Sequence, residues 1–237
     1  MNASTEPDPR APTSDALINA AEKLFIEKGH HATSLRDITR EARANLAAVN
    51  YHFGSKEALI QAVLKRRLAS LNGERLAALD ALEGQAGDQA LKPSQIVDAF
   101  FGTLLRQAAS PQNEGGRFLT LLERTMTDPA SFVRTVFADE YAGVLERFKS
   151  ALFRALPDVP REDILWRFHF MLGATSFAIA GSNTLRLVMG WEDLAHDAAP
   201  SPAQHGTTAE ADAERLLERL MSFLLGGLRA PLPHQAA

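Results

Sequence analysis

The chain has 237 residues, enough for one large or two small domains, and 46% hydrophobic with 23% charged residues is ordinary for a globular protein. It has no cysteine, which excludes disulfides and thiolate metal sites and favours an intracellular protein. The net charge of −4 is uneven. Between residues 15 and 70, nine Lys and Arg stand against six acids, a net +3, so the remainder carries −7. This asymmetry indicates an anionic partner for the N-terminal part.

Residues 1–13 are polar and rich in proline, so we expect a flexible arm without the apolar core of a signal peptide. The longest mostly apolar run, Phe168–Gly181, has 14 residues, fewer than the roughly 20 that a helix needs to cross a bilayer. We therefore expect no membrane association and a cytoplasmic protein.

Helical periodicity runs through nearly every later segment, and no segment has sustained alternation, so the sequence predicts an all-α fold. Gly29 and Gly54 are placed to end helices, and Ser34 with Asp37 resembles a capping box. The predicted helices are Ser14–Lys28, Ser34–Ala42, Asn45–Tyr51, a long helix from Ser55 to a break at Glu83–Pro93, Ser94–Ala109, Gly116–Thr127, Ser131–Leu156, Arg161–Met189 and Ala209–Leu228. Between the last two, we expect 190–208 to be partly mobile.

Two short helices joined by a tight turn, then Tyr51-His52-Phe53 and a helix start at Ser55, are typical of a helix-turn-helix DNA reader. Residues 14–64, with AAEKLFIEKGHHATSLRDITREA and YHFGSKEAL, closely resemble the N-terminal domain of the tetracycline-repressor (TetR) family of bacterial transcription regulators. The resemblance implies a three-helix DNA-binding domain over 14–60. A larger helical effector-binding and dimerisation domain is expected over 61–230.

One position departs from the family pattern. Where the family commonly has Gly-Val before the recognition helix, this chain has Arg43-Ala44. A non-glycine residue in a left-handed turn costs roughly 1 kcal/mol. We therefore expect either a re-shaped turn or an Arg43 side chain that reaches a DNA phosphate.

The candidate DNA-binding residues fall into two groups. Asparagine pairs with adenine and an alanine methyl contacts a thymine methyl, so the base readers are expected to be Asn45, Ala47, Ala48 and Asn50. Contacts to the DNA backbone are expected from Thr33, Ser34, Tyr51, His52 and Lys56, and Arg36 is expected to reach a guanine edge or a phosphate. We expect Leu46 and Val49 to face the core. Three alternatives stay open: Ser34 and Asn45 acting as helix caps, and Tyr51 or Phe53 acting as core aromatics.

The C-terminal part carries most of the 13 phenylalanines, which favours an apolar effector pocket. The candidate lining residues are Phe101, Leu104, Phe118, Leu122, Met126, Phe137, Tyr141, Phe168, Met171, Leu172 and Thr175. Single members of such stripes are more often plain core. Arg117 and Arg124 would suit an effector with an anionic headgroup and a hydrophobic tail, unless they are solvated or paired with Glu114 and Glu123. His169 and Asn183 are further polar candidates, although His169 also reads as a core histidine.

Surplus apolar surface on Trp166–Met189 and Leu216–Leu228 predicts a homodimer through the last two helices, with Leu220 and Leu224 at the interface. No catalytic motif, metal-ligand spacing or phosphate-binding glycine loop is present in the sequence, so we expect no enzyme, metal or cofactor. The predicted function is a dimeric repressor, bound to a palindromic double-stranded operator and released by a largely apolar small molecule. The alternative is a helical ligand-binding or interaction protein without operator-specific regulation.

Overall fold

The computed structural model describes residues 11–109, 131–180 and 208–231. Every regular element in these ranges is helical, as the sequence predicts. In chain order they are α1 (Ala11–Lys28), α2 (Leu35–Glu41), α3 (Leu46–His52), α4 (Lys56–Ala86), α5 (Pro93–Val97), a π-helical turn (Asp98–Gly102), α6 (Thr103–Ala109), α7 (Ser131–Ala155), α8 (Arg161–Ala180) and α9 (Thr208–Arg229). None of the helices in the described ranges is long and apolar enough to cross a membrane.

The described residues form two compact units. The first contains 11–70 and 131–140, and the second contains 71–109, 141–180 and 208–231. Both α4 and α7 therefore contribute residues to each unit. The sequence-based division at residue 60 remains a proposal for the functional boundary.

The first unit is a small bundle in which α2 and α3 pack against α1 and against each other. Its buried residues follow helical spacing, with Leu17, Ala21 and Phe25 on α1, Ile38 on α2 and Val49 on α3. Each helix thus turns one apolar stripe inward, and the short helices α2 and α3 are held by this packing rather than by their own length.

An ion cluster ties α1 to α4 in the first unit. The Glu22 side chain is only 6% exposed and accepts from Arg66 Nη2 at 2.7 Å and from Arg67 Nε. Arg66 Nη1 also donates to Asn19 Oδ1 at 2.7 Å. Arg66 and Arg67 are two of the nine basic residues counted between 15 and 70. Because they pair with Glu22, they are not available to an external anionic partner.

The core of the second unit is rich in aromatic side chains. Phe100 lies 5.0 Å from both Phe148 and Phe168, measured between ring centroids, and 4.9 Å from Phe101. Leucines of α9 pack into the same cluster. Helices α5, the π-helical turn, α6, α7, α8 and α9 thus share one apolar interior.

Several predicted boundaries need correction. Helix α1 begins at Ala11 and not at Ser14, because Pro12 lies in its first turn, where a missing N–H costs nothing. The predicted helix over 94–109 contains a π-helical turn in its middle. The predicted helix Gly116–Thr127, the end of Arg161–Met189, the segment 190–207 and residues 1–10 of the predicted arm lie outside the described residues.

Candidate DNA interface

The start of α2 is fixed by a complete capping box. Ser34 Oγ accepts from the Asp37 N–H at 3.1 Å, and Asp37 Oδ2 accepts from the Ser34 N–H at 3.3 Å and its hydroxyl at 2.6 Å. The hydroxyl and N–H of Ser34 hold the pKa of the Asp37 carboxyl below its usual value. Ser34 is exposed beside this network, so the cap role is established and a phosphate contact stays a prediction.

The turn between α2 and α3 keeps the left-handed backbone that the family pattern gives to glycine. Arg43 has φ 53°, the only positive φ among the described non-glycine residues. The Ala44 N–H donates to Thr39 O at 2.9 Å and the Arg43 N–H to Arg40 O at 3.3 Å, the two bonds of a Schellman motif. The turn is therefore not re-shaped by the loss of glycine, and Arg43 carries the strain.

Helix α3 presents one buried and one open face. Val49 is fully buried, as predicted, and holds the helix to the bundle. Asn45 is the N-cap, with Oδ1 accepting from the Ala48 N–H at 2.8 Å, which leaves its amide N–H groups open. Ala47 and Asn50 are exposed and Ala48 is half-buried. A short helix with an uncovered polar face is what a major groove receives.

One residue on this surface was misjudged from sequence, and one alternative is now excluded. Leu46 was expected to face the core, but its side chain is 44% exposed at the first position of α3. Tyr51 is 69% exposed, which excludes the core-aromatic alternative. Phe53 is half-buried, and the His52 ring lies 5.2 Å from the Tyr51 ring. The open face of α3 is thus more apolar at its N-terminal end than the sequence suggested.

Thr33 and Lys56 have internal roles. Thr33 is 1% exposed, and its hydroxyl donates to Gly29 O at 2.8 Å and to Leu24 O at 3.2 Å. Lys56 Nζ donates to His30 O at 2.8 Å and to Thr33 O at 3.0 Å, which pins the α1–α2 loop to the start of α4. In this conformation the Thr33 hydroxyl does not reach the surface, and Lys56 has one N–H left for a phosphate.

Some Lys and Arg residues of the first unit form ion pairs with acidic side chains, and others do not. Lys23 pairs with Glu41 at 2.7 Å and Arg40 with Asp37 at 2.6 Å, and Lys65 lies 3.7 Å from Glu140. Arg36 and Arg43 are exposed and make no ion pair with the described residues. Arg36 lies on α2 and Arg43 in the turn that precedes α3, so both are candidates for contact with DNA phosphates.

The predicted effector residues only partly come together. Phe101, Phe168 and Met171 share the buried core of the second unit, with Tyr141 and Leu172 packed against it. Leu104 and Thr175 are also buried. Phe137 belongs to the first unit instead. Phe118, Leu122, Met126, Arg117, Arg124 and Asn183 lie outside the described residues, and His169 is exposed, which excludes its reading as a core residue.

The sequence reading missed Arg75. It lies on the buried stripe of α4, where Leu64, Leu68, Leu71 and Leu79 are the neighbouring members, and it is 1% exposed. Burial lowers the pKa of its guanidinium, and Tyr141 partly offsets that shift, but an arginine stays protonated at neutral pH. The sequence does contain a signal for a buried arginine, because Arg75 occupies a helical position that is otherwise filled by leucines.

The fold and the open face of α3 define a helix-turn-helix protein with a second, larger helical unit. The sequence matches the family of bacterial regulatory proteins called tetR over residues 17–63 and the tetracyclin repressor-like C-terminal domain over residues 98–200. The chain therefore belongs to the tetR family. This disfavours the alternative of an interaction protein without a DNA-binding role.

Several named relatives match a short stretch of this chain. An HTH-type transcriptional repressor of Mycobacterium tuberculosis is 43% identical over 58 residues, which is 24% of this chain and 31% of the relative. UidR of Escherichia coli is 40% identical over 53 residues, which is 22% of this chain and 27% of the relative. Each match thus spans less than a third of the relative's own length.

Solved structures share the whole fold at low identity. The fatty acid degradation regulator FadR from Bacillus halodurans has a TM-score of 0.62 at 14% identity, covering 96% of this chain and all (100%) of that chain. Salmonella enterica GusR has a TM-score of 0.59 at 18% identity and covers 97% of this chain and 100% of that chain. These likenesses establish the fold and carry no information on the ligand.

Proposed function

We propose that this protein is a cytoplasmic, ligand-released repressor that binds a palindromic operator as a homodimer. The observation that carries the DNA-binding role is the exposed face of α3, from Asn45 to Tyr51, held by the buried Val49 and by a fully bonded turn. Two such helices in a dimer would enter successive major grooves about one DNA turn apart, roughly 34–36 Å.

Base reading is assigned to Asn50, to the free amide N–H groups of Asn45 and to Ala47 and Ala48. Asparagine amides suit the N6 and N7 edge of adenine, and alanine methyls suit a thymine methyl. The exposed Leu46 adds a second apolar contact of this kind.

Backbone contacts are assigned to Ser34, Tyr51 and His52. They are also assigned to Arg36 and Arg43, which make no ion pair with the described residues. Lys56 keeps one N–H for a phosphate besides its two carbonyl bonds. The Thr33 hydroxyl bonds to backbone carbonyls inside the first unit, so it is assigned no contact with DNA.

Dimerisation is assigned to the outward stripes of α8 and α9. Trp166, Phe170 and Phe177 are 53%, 64% and 59% exposed and lie on one side of α8, with the exposed Gly173 between them. Phe223 on α9 is 67% exposed. A monomer rarely exposes such a patch, so a second copy of this chain is the proposed partner.

The interface residues predicted from sequence need correction. Leu220 and Leu224 are 7% and 1% exposed and pack into the core of their own unit. An aspartate at either position would unfold the protomer and would not test the interface. Phe223, one position before Leu224, faces outward and takes their place.

Effector binding is assigned to the aromatic core of the second unit, with a largely apolar small molecule as the ligand. Support comes from the cluster around Phe100, Phe101 and Phe168 and from the buried Thr175 hydroxyl, which has no hydrogen-bond partner among the described residues. A ligand acts as an inducer only by its differential affinity for the conformation that does not fit the operator.

The test measures operator binding with variants that separate contacts to the bases from contacts to the DNA backbone. DNA from upstream of the chain's own gene is titrated with protein at several salt concentrations, and a library of operator variants follows. Asn50→Ala should change preference at one base pair by about 1–3 kcal/mol. Arg36→Ala should weaken all variants alike and reduce the salt slope by about one.

Lys92→Ala, an exposed cation of the second unit, is the matched control and should change neither quantity. A wild-type protein that shows no salt-dependent binding to this DNA, or an Asn50→Ala variant with uniform loss at every operator, contradicts the proposal.

A further inference from the structure

Arg75 is a buried charge that meets only neutral groups among the described residues. Its Nε donates to Phe100 O at 2.8 Å, and its Nη1 donates to Asn72 Oδ1 at 3.1 Å. The guanidinium carbon lies 3.9 Å from the Phe100 ring centroid and 5.5 Å from that of Tyr141. No carboxylate of the described residues lies in ion-pair contact with it.

An uncompensated guanidinium in an apolar core is strongly unfavourable. Two of its five N–H donors are taken by the Phe100 carbonyl and the Asn72 amide, and the Tyr141 ring and hydroxyl lie beside the guanidinium. The ring contacts attract the positive charge but accept no further hydrogen bond in the guanidinium plane. The site therefore lacks a negative charge and further hydrogen-bond acceptors, and a carboxylate supplies both.

The surroundings of Arg75 have two further features of a ligand site. The Phe100 carbonyl belongs to the π-helical turn, and single π-helical turns are frequent at functional sites. In the same unit, the Thr175 hydroxyl is buried without a hydrogen-bond partner among the residues that the structure describes. This core thus contains two polar groups whose hydrogen-bonding capacity the described residues leave incomplete.

We propose that Arg75, with Asn72 and the Tyr141 hydroxyl, binds the carboxylate of the effector, while the aromatic cluster of Phe100, Phe101 and Phe168 receives its apolar body. The inference rests on the proposed function, since it names the chemical class of the inducer. A guanidinium fork pairs with a carboxylate through two parallel hydrogen bonds, which gives geometric selectivity as well as affinity.

A purely structural Arg75 is the competing explanation. In that case the guanidinium only supports the π-helical turn through the Phe100 carbonyl. Both explanations predict that removing Arg75 alters stability, so stability alone does not separate them. Discrimination between an acid and its neutral amide does separate them, because a structural arginine has no effect on that ratio.

The experiment uses straight-chain carboxylic acids from butanoate to decanoate and the matching primary amides. Binding to the full-length protein is measured by thermal shift and by calorimetry. Wild-type affinity should rise roughly fourfold per added methylene until the apolar core is filled. Each acid should bind about 10- to 100-fold more tightly than its amide.

Arg75→Met keeps an apolar stem of similar length and removes the charge. This variant should bind acid and amide equally while keeping the dependence on chain length. Tyr141→Phe, which keeps the ring, is the second variant if Arg75→Met does not fold, and it should reduce the acid-to-amide ratio by severalfold. Operator binding without any acid is measured in parallel for each protein.

Equal binding of acid and amide to the wild type overturns the proposal, as does an undiminished acid preference in the variants. Failure of the whole acid series to bind also overturns it. In each case, intact operator binding would leave the DNA-binding role standing, whereas loss of operator binding in the unliganded wild type contradicts the proposed function instead.

Discussion

Replacing Arg43 by glycine should stabilise the DNA-binding unit while weakening its grip on DNA. Arg43 lies at φ 53°, in a Schellman motif whose two hydrogen bonds are both formed. A left-handed conformation costs an L-residue roughly 1–2 kcal/mol. Glycine removes that strain but adds about 0.4–1 kcal/mol of unfolded-state entropy. The net gain expected is between about 0 and 1.6 kcal/mol, with a midpoint of about 0.8 kcal/mol.

Thermal and urea unfolding of Arg43→Gly and Arg43→Ala measure this gain, because alanine removes the charge and keeps the strain. Arg43→Gly should raise the melting temperature by about 1–4 °C. Arg43→Ala should leave it unchanged or lower it. Arg43→Asn should fall between them, since asparagine tolerates this conformation better than other side chains.

Operator binding of the same variants separates charge from strain. Glycine and alanine should both reduce the salt slope by about one, whereas Arg43→Lys should keep it. A glycine variant no more stable than the alanine variant refutes the strain argument. An unchanged salt slope in both neutral variants refutes the phosphate contact, and the two results are independent.

Three further outcomes are expected. Gly173→Glu should dissociate the dimer in sedimentation, because an unpaired carboxylate would be buried at the interface. Gly143→Glu is the control and should remain dimeric, since Gly143 is also an exposed helix position where an added side chain meets nothing within 4 Å. Equal behaviour of the two variants would exclude this interface. Glu22→Gln should lower the free energy of unfolding of the first unit by about 2–4 kcal/mol, toward the low end because Arg66 and Arg67 keep contact with water. Glu27→Gln, on the exposed side of α1, should have no measurable effect. The capping contribution of Asp37 to stability should be fully present above its ordinary pKa and lost as the pH falls through its lowered folded-state pKa. Because the Ser34 side chain lowers this pKa most, an NMR titration of Ser34→Ala should show a higher Asp37 pKa than in the wild type.

The fold was predictable because its local signals agree with one another. The capping box at Ser34 and Asp37 and the helix end at Gly29 appear as predicted, and Gly29 has φ 82°. The start of α1 at Ala11 was missed because the proline-rich segment was assigned to a flexible arm, although Pro12 suits a first helical turn. The π-helical turn was missed because it has no residue pattern that separates it from ordinary helix. Such details depend on tertiary packing rather than on propensity.

Individual site residues were harder to predict than the elements that contain them. Periodicity assigns Leu46 and Val49 equally to an inner face, yet only Val49 is buried, because α3 is short and its first turn projects from the bundle. Lys56 looks like a free cation in sequence, and only the folded loop brings the carbonyls of His30 and Thr33 to its ammonium. Contacts between residues distant in sequence decide which charges remain available.

Arg43 and Arg75 share a property that links the two proposed sites. Each breaks a local rule: Arg43 is a non-glycine residue in a left-handed turn, and Arg75 is a charge in a leucine stripe. Other features around them follow the rules, with a fully bonded turn at Arg43 and a buried aromatic cluster around Arg75. Rule-breaking residues in an otherwise consistent chain are expected where function opposes stability. Since both are arginines and both lack an ion pair with the described residues, the common explanation is an anion from outside the protomer: a DNA phosphate for Arg43 and a ligand carboxylate for Arg75.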